Sequence, residues 1–277
     1  MNIKYLSLNE VQEQSLQVLK VIDEICSKNG FRYYLAYGTL LGAIRHKNVI
    51  PWDDDVDIWM PRDDYNKFVE YCNLNITKIK PLQILSTQNK DYPYIISRLS
   101  NSDYIVEENN VKPYGLGIFV DIYPLDGVGS DYSKAISFKR KVYWYVSLCF
   151  LSTRMKFSVG RTKGRIKSFL KYPAFILSKF LGKDYFVKKI EKFASLTNYS
   201  ESSFVTCLVW GPYSEIKCIF KKEYFEKSIK VRLGKYLFNA PSNYDEILKL
   251  IYDDYMKLPP EEERVGYHFV KAYLKHK

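Results

Sequence analysis

The chain has 277 residues, 47 % apolar and 16 % aromatic, enough to build a real hydrophobic core and enough to exclude a disordered or low-complexity protein. Its formal net charge of +11 is regional: Lys134 to Lys192 carries sixteen Lys/Arg against two Asp/Glu, while the remainder holds 26 basic and 29 acidic residues. Five scattered cysteines without a Cys-x-x-Cys pair, together with only three histidines, argue against a disulfide framework or a structural zinc site.

The first residues, Met1-Asn2-Ile3-Lys4-Tyr5, lack the apolar run and cleavage site of a secretory signal, so cytoplasmic residence is expected. Ser7-Leu8-Asn9-Glu10 has the form of a capping box, and Val11, Val18, Leu19, Ile22, Ile25 and Cys26 recur at helical spacing until Asn29-Gly30. Phe31 to Tyr37 reads as a buried strand, after which Gly38-Thr39 turns the chain into a short helix, Leu40 to His46. Asp55 to Met60 reads as a strand that Pro61 stops before a helix from Arg62 to about Cys72. Leu82 to Ser86, Tyr94 to Leu99 and Ile118 to Tyr123 are further strands.

The basic segment shows helical patterns interrupted by Gly160, Gly164, Pro173 and Gly182. Its apolar runs, Val142 to Leu151 and Tyr172 to Leu181, fall well short of the roughly 20 residues that span a bilayer. Beyond it, Phe204 to Trp210 reads as a strand and Val231 to Phe238 as a hairpin turning at Gly234-Lys235. Ser242 is placed to cap a helix running to about Lys257, with Pro259-Pro260 ending it. The pattern predicts an α+β fold, a mixed sheet flanked by helices: a core over 1–130, a basic aromatic helical insertion over 131–200, and a strand and helix portion over 201–277 that completes the core.

The strongest chemical signal is Trp52-Asp53-Asp54-Asp55-Val56-Asp57-Ile58. Strand alternation puts Asp55 and Asp57 on one face with Val56 and Ile58 behind them. Like charges held that close favour a cation between them, and hard carboxylate oxygens suit magnesium. Asp121, flanked by apolar residues in Phe119-Val120-Asp121-Ile122-Tyr123, is a candidate third carboxylate from an adjacent strand, which makes a two-metal cluster feasible. The alternative is a solvated acidic turn, with or without a structural calcium, although the glycine and terminal glutamate of an EF-hand loop are missing. Gly38-Thr39 lies where a helix start offers N–H groups to a phosphate, and equally where a purely structural glycine turn would lie. Arg45 and His46 suit phosphate binding or orientation of an acceptor hydroxyl, or a solvated helix end. Trp52 suits packing against the acidic loop or stacking on a base.

The run Ala36-Tyr37-Gly38-Thr39-Leu40-Leu41-Gly42-Ala43-Ile44-Arg45-His46, followed by Ile50-Pro51-Trp52-Asp53-Asp54-Asp55-Val56-Asp57-Ile58, resembles the signature of the LicD family, which includes the fukutin-type enzymes. A weaker resemblance covers Ala240-Pro241-Ser242-Asn243-Tyr244 through Leu258-Pro259-Pro260, with Tyr252-Asp253 where the family has Tyr-Gly. The resemblance implies a nucleotidyltransferase-like fold in which Gly38 and Thr39 contact phosphate and Asp55, Asp57 and Asp121 hold Mg2+, one ion or two, with Mn2+ as a substitute. Asp53 matches the motif as a ligand or as support for one. The implied activity is transfer of a phosphorylated alcohol, phosphocholine first, from a CDP-alcohol such as CDP-choline to a glycan or lipid-linked glycan precursor of teichoic acid, capsule or lipopolysaccharide. Nucleotidyl transfer, or transfer of phosphoglycerol or phosphoribitol, is the alternative. The basic segment is expected to meet the inner membrane face or a lipid-linked pyrophosphate, against the alternative of a solvated basic face; nucleic acid is not an expected partner. A noncatalytic membrane or nucleic-acid binder would give the three aspartates no reason to converge.

Overall fold

A computed structural model describes residues 3–158, 165–209, 218–266 and 271–275. Helix α1 (Leu8–Asn29) opens on the expected capping box: Glu10 N–H donates to Ser7 Oγ, Ser7 N–H donates to Glu10 Oε2, and Gly30 closes the helix with a left-handed φ of 71°. Strand β1 is only Tyr34–Leu35, because Tyr37 takes a φ of 41° and starts α2 (Tyr37–Leu41) before the glycine does. A π-helical turn, Gly42–His46, continues α2. There follow β2 (Asp57–Pro61), α3 (Arg62–Leu74), β3 (Leu82–Leu85), β4 (Ser97–Asn101), β5 (Tyr104–Glu107) and β6 (Ile118–Gly127). Strand β6 outruns its predicted end at Tyr123: Pro124 sits within it opposite Met60 and does not stop it.

The basic segment forms α4 (Tyr132–Thr153) and α5 (Arg165–Ala194), which pack on each other, with Gly182 breaking α5 at φ 75°. Two of its lysines point inward. Lys139 Nζ donates to Thr206 Oγ1 and the Cys218 carbonyl, and Lys183 Nζ lies 3.1 to 3.5 Å from the carbonyls of Thr87, Asn89, Lys90 and Tyr92, fastening α5 to the β3–β4 connection. Gly160, Gly164 and Trp210 lie outside the described residues. No helix among the described residues is long and apolar enough to cross a membrane.

Strand β7 (Phe204–Thr206) pairs with β6, and β8 (Phe220–Lys221) with β7. Strands β9 (Ser228–Leu233) and β10 (Tyr236–Pro241) form the predicted hairpin at Gly234. Helix α6 (Tyr244–Tyr252) is shorter than predicted, because Asp253 turns left-handed at φ 55°; Ser242 is not its cap but donates to Asn243 Oδ1. Strand β11 (Lys271–Leu274) pairs with β5, a pairing across more than 160 residues that no local pattern announces.

Among the described residues the main sheet runs β1-β2-β6-β4-β3, with β2 and β6 parallel and the other neighbours antiparallel. The chain is therefore a mixed α and β protein with a mixed sheet. Ile58, Met60, Leu99, Val120 and Ile122 join residues of α1 and α3 in one buried cluster. The alternate residues of the same strands carry the charged groups.

Candidate active site

Strand β2 pairs with β6 so that Asp57 faces Asp121, and β4 pairs with β6 so that Arg98 faces Asp121. Register partners share a face of a sheet, so two carboxylates and a guanidinium stand in a row across three strands. The Asp57 N–H donates to Thr39 Oγ1 at 2.8 Å, and the Ala36 N–H donates to the Asp57 carbonyl at 3.0 Å, which ties the start of α2 to the start of β2. Thr39 is buried, its hydroxyl turned to this bond. Tyr37, whose left-handed backbone costs a bulky residue about 1–3 kcal/mol, packs edge-on against Trp59 and Tyr123 at centroid distances of 4.8 and 5.2 Å.

The acidic loop is held from below. Gln12 Nε2, on α1, donates to the carbonyls of Ile50 at 3.1 Å and Asp53 at 2.7 Å, and the Asp53 N–H closes a turn onto Ile50. Carboxylate oxygens of Asp53, Asp54 and Asp55 all lie within 4.8 Å of one another. A Cβ at position 38 would sit 2.5 Å from Asp53 Oδ2, so glycine there lets the carboxylate close on the helix start. The ladder begins at Asp57, yet the Val56 carbonyl already accepts from the Asp121 N–H at 2.9 Å, leaving Val56 buried and Asp55 half-buried just ahead of the strand.

Burial, then the charges of Asp55, Asp121 and Asp53, push the Asp57 carboxyl well above the usual carboxylate range, against a smaller opposing pull from Arg98. Asp57 Oδ1 is buried and has no hydrogen-bond partner among the described residues. A buried oxygen of that kind costs free energy unless a proton or a cation meets it. The close carboxylate oxygens of Asp53, Asp54 and Asp55, with the buried Asp57 oxygen beyond them, are hard donors of the kind that suit a divalent cation.

Arg98 is the site residue that the sequence did not announce. Its Nε donates to Asp121 Oδ1 at 2.6 Å and its Nη2 to Asp121 Oδ2 at 3.4 Å, while Nη1 reaches Glu108 Oε1 at 2.9 Å and the Tyr114 hydroxyl at 2.8 Å. The guanidinium lies between the rings of Tyr94 and Phe119, at 4.3 and 4.1 Å, and Tyr114 in turn donates to Glu108. Asp121 is thus oriented by a cation that is itself fixed on every side. An arginine inside a strand otherwise composed of Ser, Leu and Asn was the available signal.

Residues 30–163 match the family described as LicD/FKTN/FKRP, nucleotidyltransferase domain, a span that contains the glycine turn, the acidic loop, Arg98 and Asp121. Over 273 residues, 98 % of this chain and 100 % of the relative, it is 29 % identical to the lipopolysaccharide cholinephosphotransferase LicD of Haemophilus influenzae. The chain belongs to the LicD family. Shorter LicD-family similarities include the human ribitol 5-phosphate transferase FKRP, 40 % identical over 57 residues, which is 21 % of this chain and 11 % of that protein. An uncharacterized Rickettsia typhi protein is 35 % identical over 91 residues, 32 % of this chain and 28 % of that one.

The remaining candidates of this LicD-family chain lie around Trp52. Arg45 Nη1 donates to the carbonyls of Tyr255 and Lys257, at 2.8 and 3.2 Å, and its Nε to His46 Nε2 at 3.0 Å. Burial, then the Arg45 charge, pulls the His46 pKa down, in keeping with a neutral imidazole that accepts this bond. His46 meets Trp52 edge-on, and the Arg264 guanidinium lies 5.7 Å from the Trp52 ring, so Trp52 is packed between them. A Cβ at Gly266 would come within 3.0 Å of the Trp52 carbonyl and 3.6 Å of Asp54 Oδ2. The segment after α6 thereby closes on the acidic loop. A separate cleft of about 650 Å³, lined by residues including Arg62, Tyr65, Ser97 and Glu191, contains none of the aspartates.

Proposed function

We propose that this chain transfers a phosphorylated alcohol, with phosphocholine as the leading substituent, from a CDP-alcohol to a hydroxyl of a cell-surface glycan precursor. The reading is carried by the buried Asp57 carboxylate, which faces Asp121 across the sheet and feels the charges of Asp55, Asp121 and Asp53, because acidic groups so placed favour a cation and suit phosphoryl transfer. The end-to-end similarity to a lipopolysaccharide cholinephosphotransferase favours choline as the alcohol and a surface glycan as the acceptor.

Magnesium, with manganese as a substitute, is the proposed cofactor: when bound, it offsets charge on the donor's phosphate oxygens and favours ionisation of the acceptor hydroxyl. Asp55 and Asp57 are its proposed principal ligands. Asp121 is the proposed third, since its register opposite Asp57 sets its carboxylate on the same face of the sheet. Asp53 and Asp55 are half-buried, so an incoming hydroxyl can reach them. One of them takes its proton as the hydroxyl oxygen bonds to the phosphorus that bears the alcohol and the bond from that phosphorus to CMP breaks. Gly38 admits Asp53 to this position, and Thr39 holds the Asp57 backbone.

Phosphoribitol is the second reading, favoured by the 57-residue similarity to FKRP. Incubating the purified chain with magnesium, a glycan acceptor and CDP-choline, CDP-ribitol or CDP-glycerol in turn, and following CMP release and acceptor mass, separates the two. Release of CMP with a phosphocholine mass gain is expected. An acceptor that gains a nucleotide, or a chain that releases CMP from no CDP-alcohol, overturns the proposal.

A further inference from the structure

Helix α5 is apolar on both sides before its break at Gly182. One side is buried, with Phe175 and Ser178 among the inward residues; Lys179 Nζ, bonded to the Ser152 carbonyl, and the Cys149 thiol, directed at the Lys183 carbonyl, mark its packing on α4. The other side presents Tyr172, Ile176 and Phe180, 52 %, 50 % and 87 % exposed, at four-residue steps, with Leu177, 52 % exposed, beside them. Residues four apart lie one above another on a helix, so these side chains form a continuous outward stripe. A water-facing helix surface is ordinarily polar, and an apolar stripe of this length marks something that covers it.

The charge around the stripe says what kind of cover. The sequence from Lys134 to Lys192 carries sixteen basic and two acidic residues, and Lys188, Lys189 and Lys192 are exposed near the end of α5. An outward apolar stripe in the most basic part of the sequence, with exposed lysines further along the same helix past its break, fits the boundary of an anionic lipid bilayer, where rings and aliphatic groups enter the acyl region and lysines meet the headgroups. We propose that the outward face of α5 is a peripheral docking surface for an anionic membrane. This goes beyond the transfer reaction and does not depend on it. It also gives the α4–α5 pair a place relative to the chemistry: Arg154, just past α4, lies 5.6 Å from the Tyr94 ring, and Tyr94 packs on the Arg98 that grips Asp121. A membrane held at α5 is one contact chain away from the acidic cluster.

The test is flotation of the full chain with phosphatidylcholine vesicles, with or without 40 % phosphatidylglycerol, beside an Ile176→Ser/Phe180→Ser variant and a Lys188→Glu/Lys189→Glu variant, all checked for unchanged circular dichroism and solution mass. Roughly tenfold stronger partitioning onto the anionic vesicles is expected, lowered at least tenfold in both variants, with high salt weakening what remains. Equal partitioning of parent and variants, or no preference for the anionic vesicles, overturns the proposal. So does a parent dimer that the serine variant dissociates while neither protein floats, since a second copy would then be the cover. Binding to nucleic acid in place of vesicles overturns it as well.

Discussion

Asp57 concentrates the chemistry into one side chain. Its folded-state pKa is raised by burial, then by Asp55, Asp121 and Asp53, so the folded chain binds a proton that the unfolded chain has already released. The stabilisation is therefore complete below the ordinary carboxylate range and is lost as pH rises through the folded-state value. With a chelator present, the melting temperature is expected to fall as pH rises from about 4, and Asp57→Asn is expected to flatten that fall. Added magnesium is expected to raise the parent's melting temperature most at the upper end of the range and to leave the variant's nearly unchanged, while the variant loses transfer. Differential scanning fluorimetry across pH, with and without the ion, reads all of this; an identical pH slope in parent and variant would refute it. Asp57 was legible because its neighbours are contiguous and alternate in polarity. Gln12 and Arg98 were not, because their partners Asp53 and Asp121 stand 41 and 23 residues away and the sequence holds no sign of the pairing.

Secondary-structure elements were legible in kind more than in extent. The capped first helix, the acidic strand, the helix after Pro61 and the Gly234 hairpin follow from local chemistry, and each forms. Their ends were decided elsewhere: β1 is cut short by the left-handed Tyr37, β6 runs on past Pro124, and α6 stops at Asp253 instead of at the prolines. Arg98 shows how firmly the strands are then joined, because its side chain in β4 binds Asp121 in β6 and Glu108 just beyond β5. Arg98→Met would strand two carboxylates, one of them deeply buried, and is expected to cost about 3–5 kcal/mol. Urea denaturation of parent and variant measures it. A loss under 1 kcal/mol would mean that the acidic groups relax outward and that Asp121 is not held as described.

At the scale of the molecule, composition predicted a globular protein and patterning predicted mixed helices and strands with a basic helical segment; a mixed sheet and a packed pair of helices form. What composition could not foresee is that two of the basic residues, Lys139 and Lys183, serve as internal fasteners instead of surface charge. Their partners are backbone carbonyls and a hydroxyl from other elements, which leave no mark on the local pattern of charge.

The dependence of the acidic loop on Gln12 has a practical side. The family match covers residues 30–163, but the side chain that holds the loop comes from before it, β7 pairs with β6 from after it, and the Gly266 backbone closes on Asp54 from near the far end. The recognisable stretch lacks the Gln12 side chain, the β7 strand and the Gly266 backbone that surround its own acidic loop and sheet. An excised 30–163 fragment is expected to give the circular dichroism of an unfolded chain where the full chain gives that of a folded one, and chimaeras that exchange only this stretch between relatives inherit the motif without its mounting.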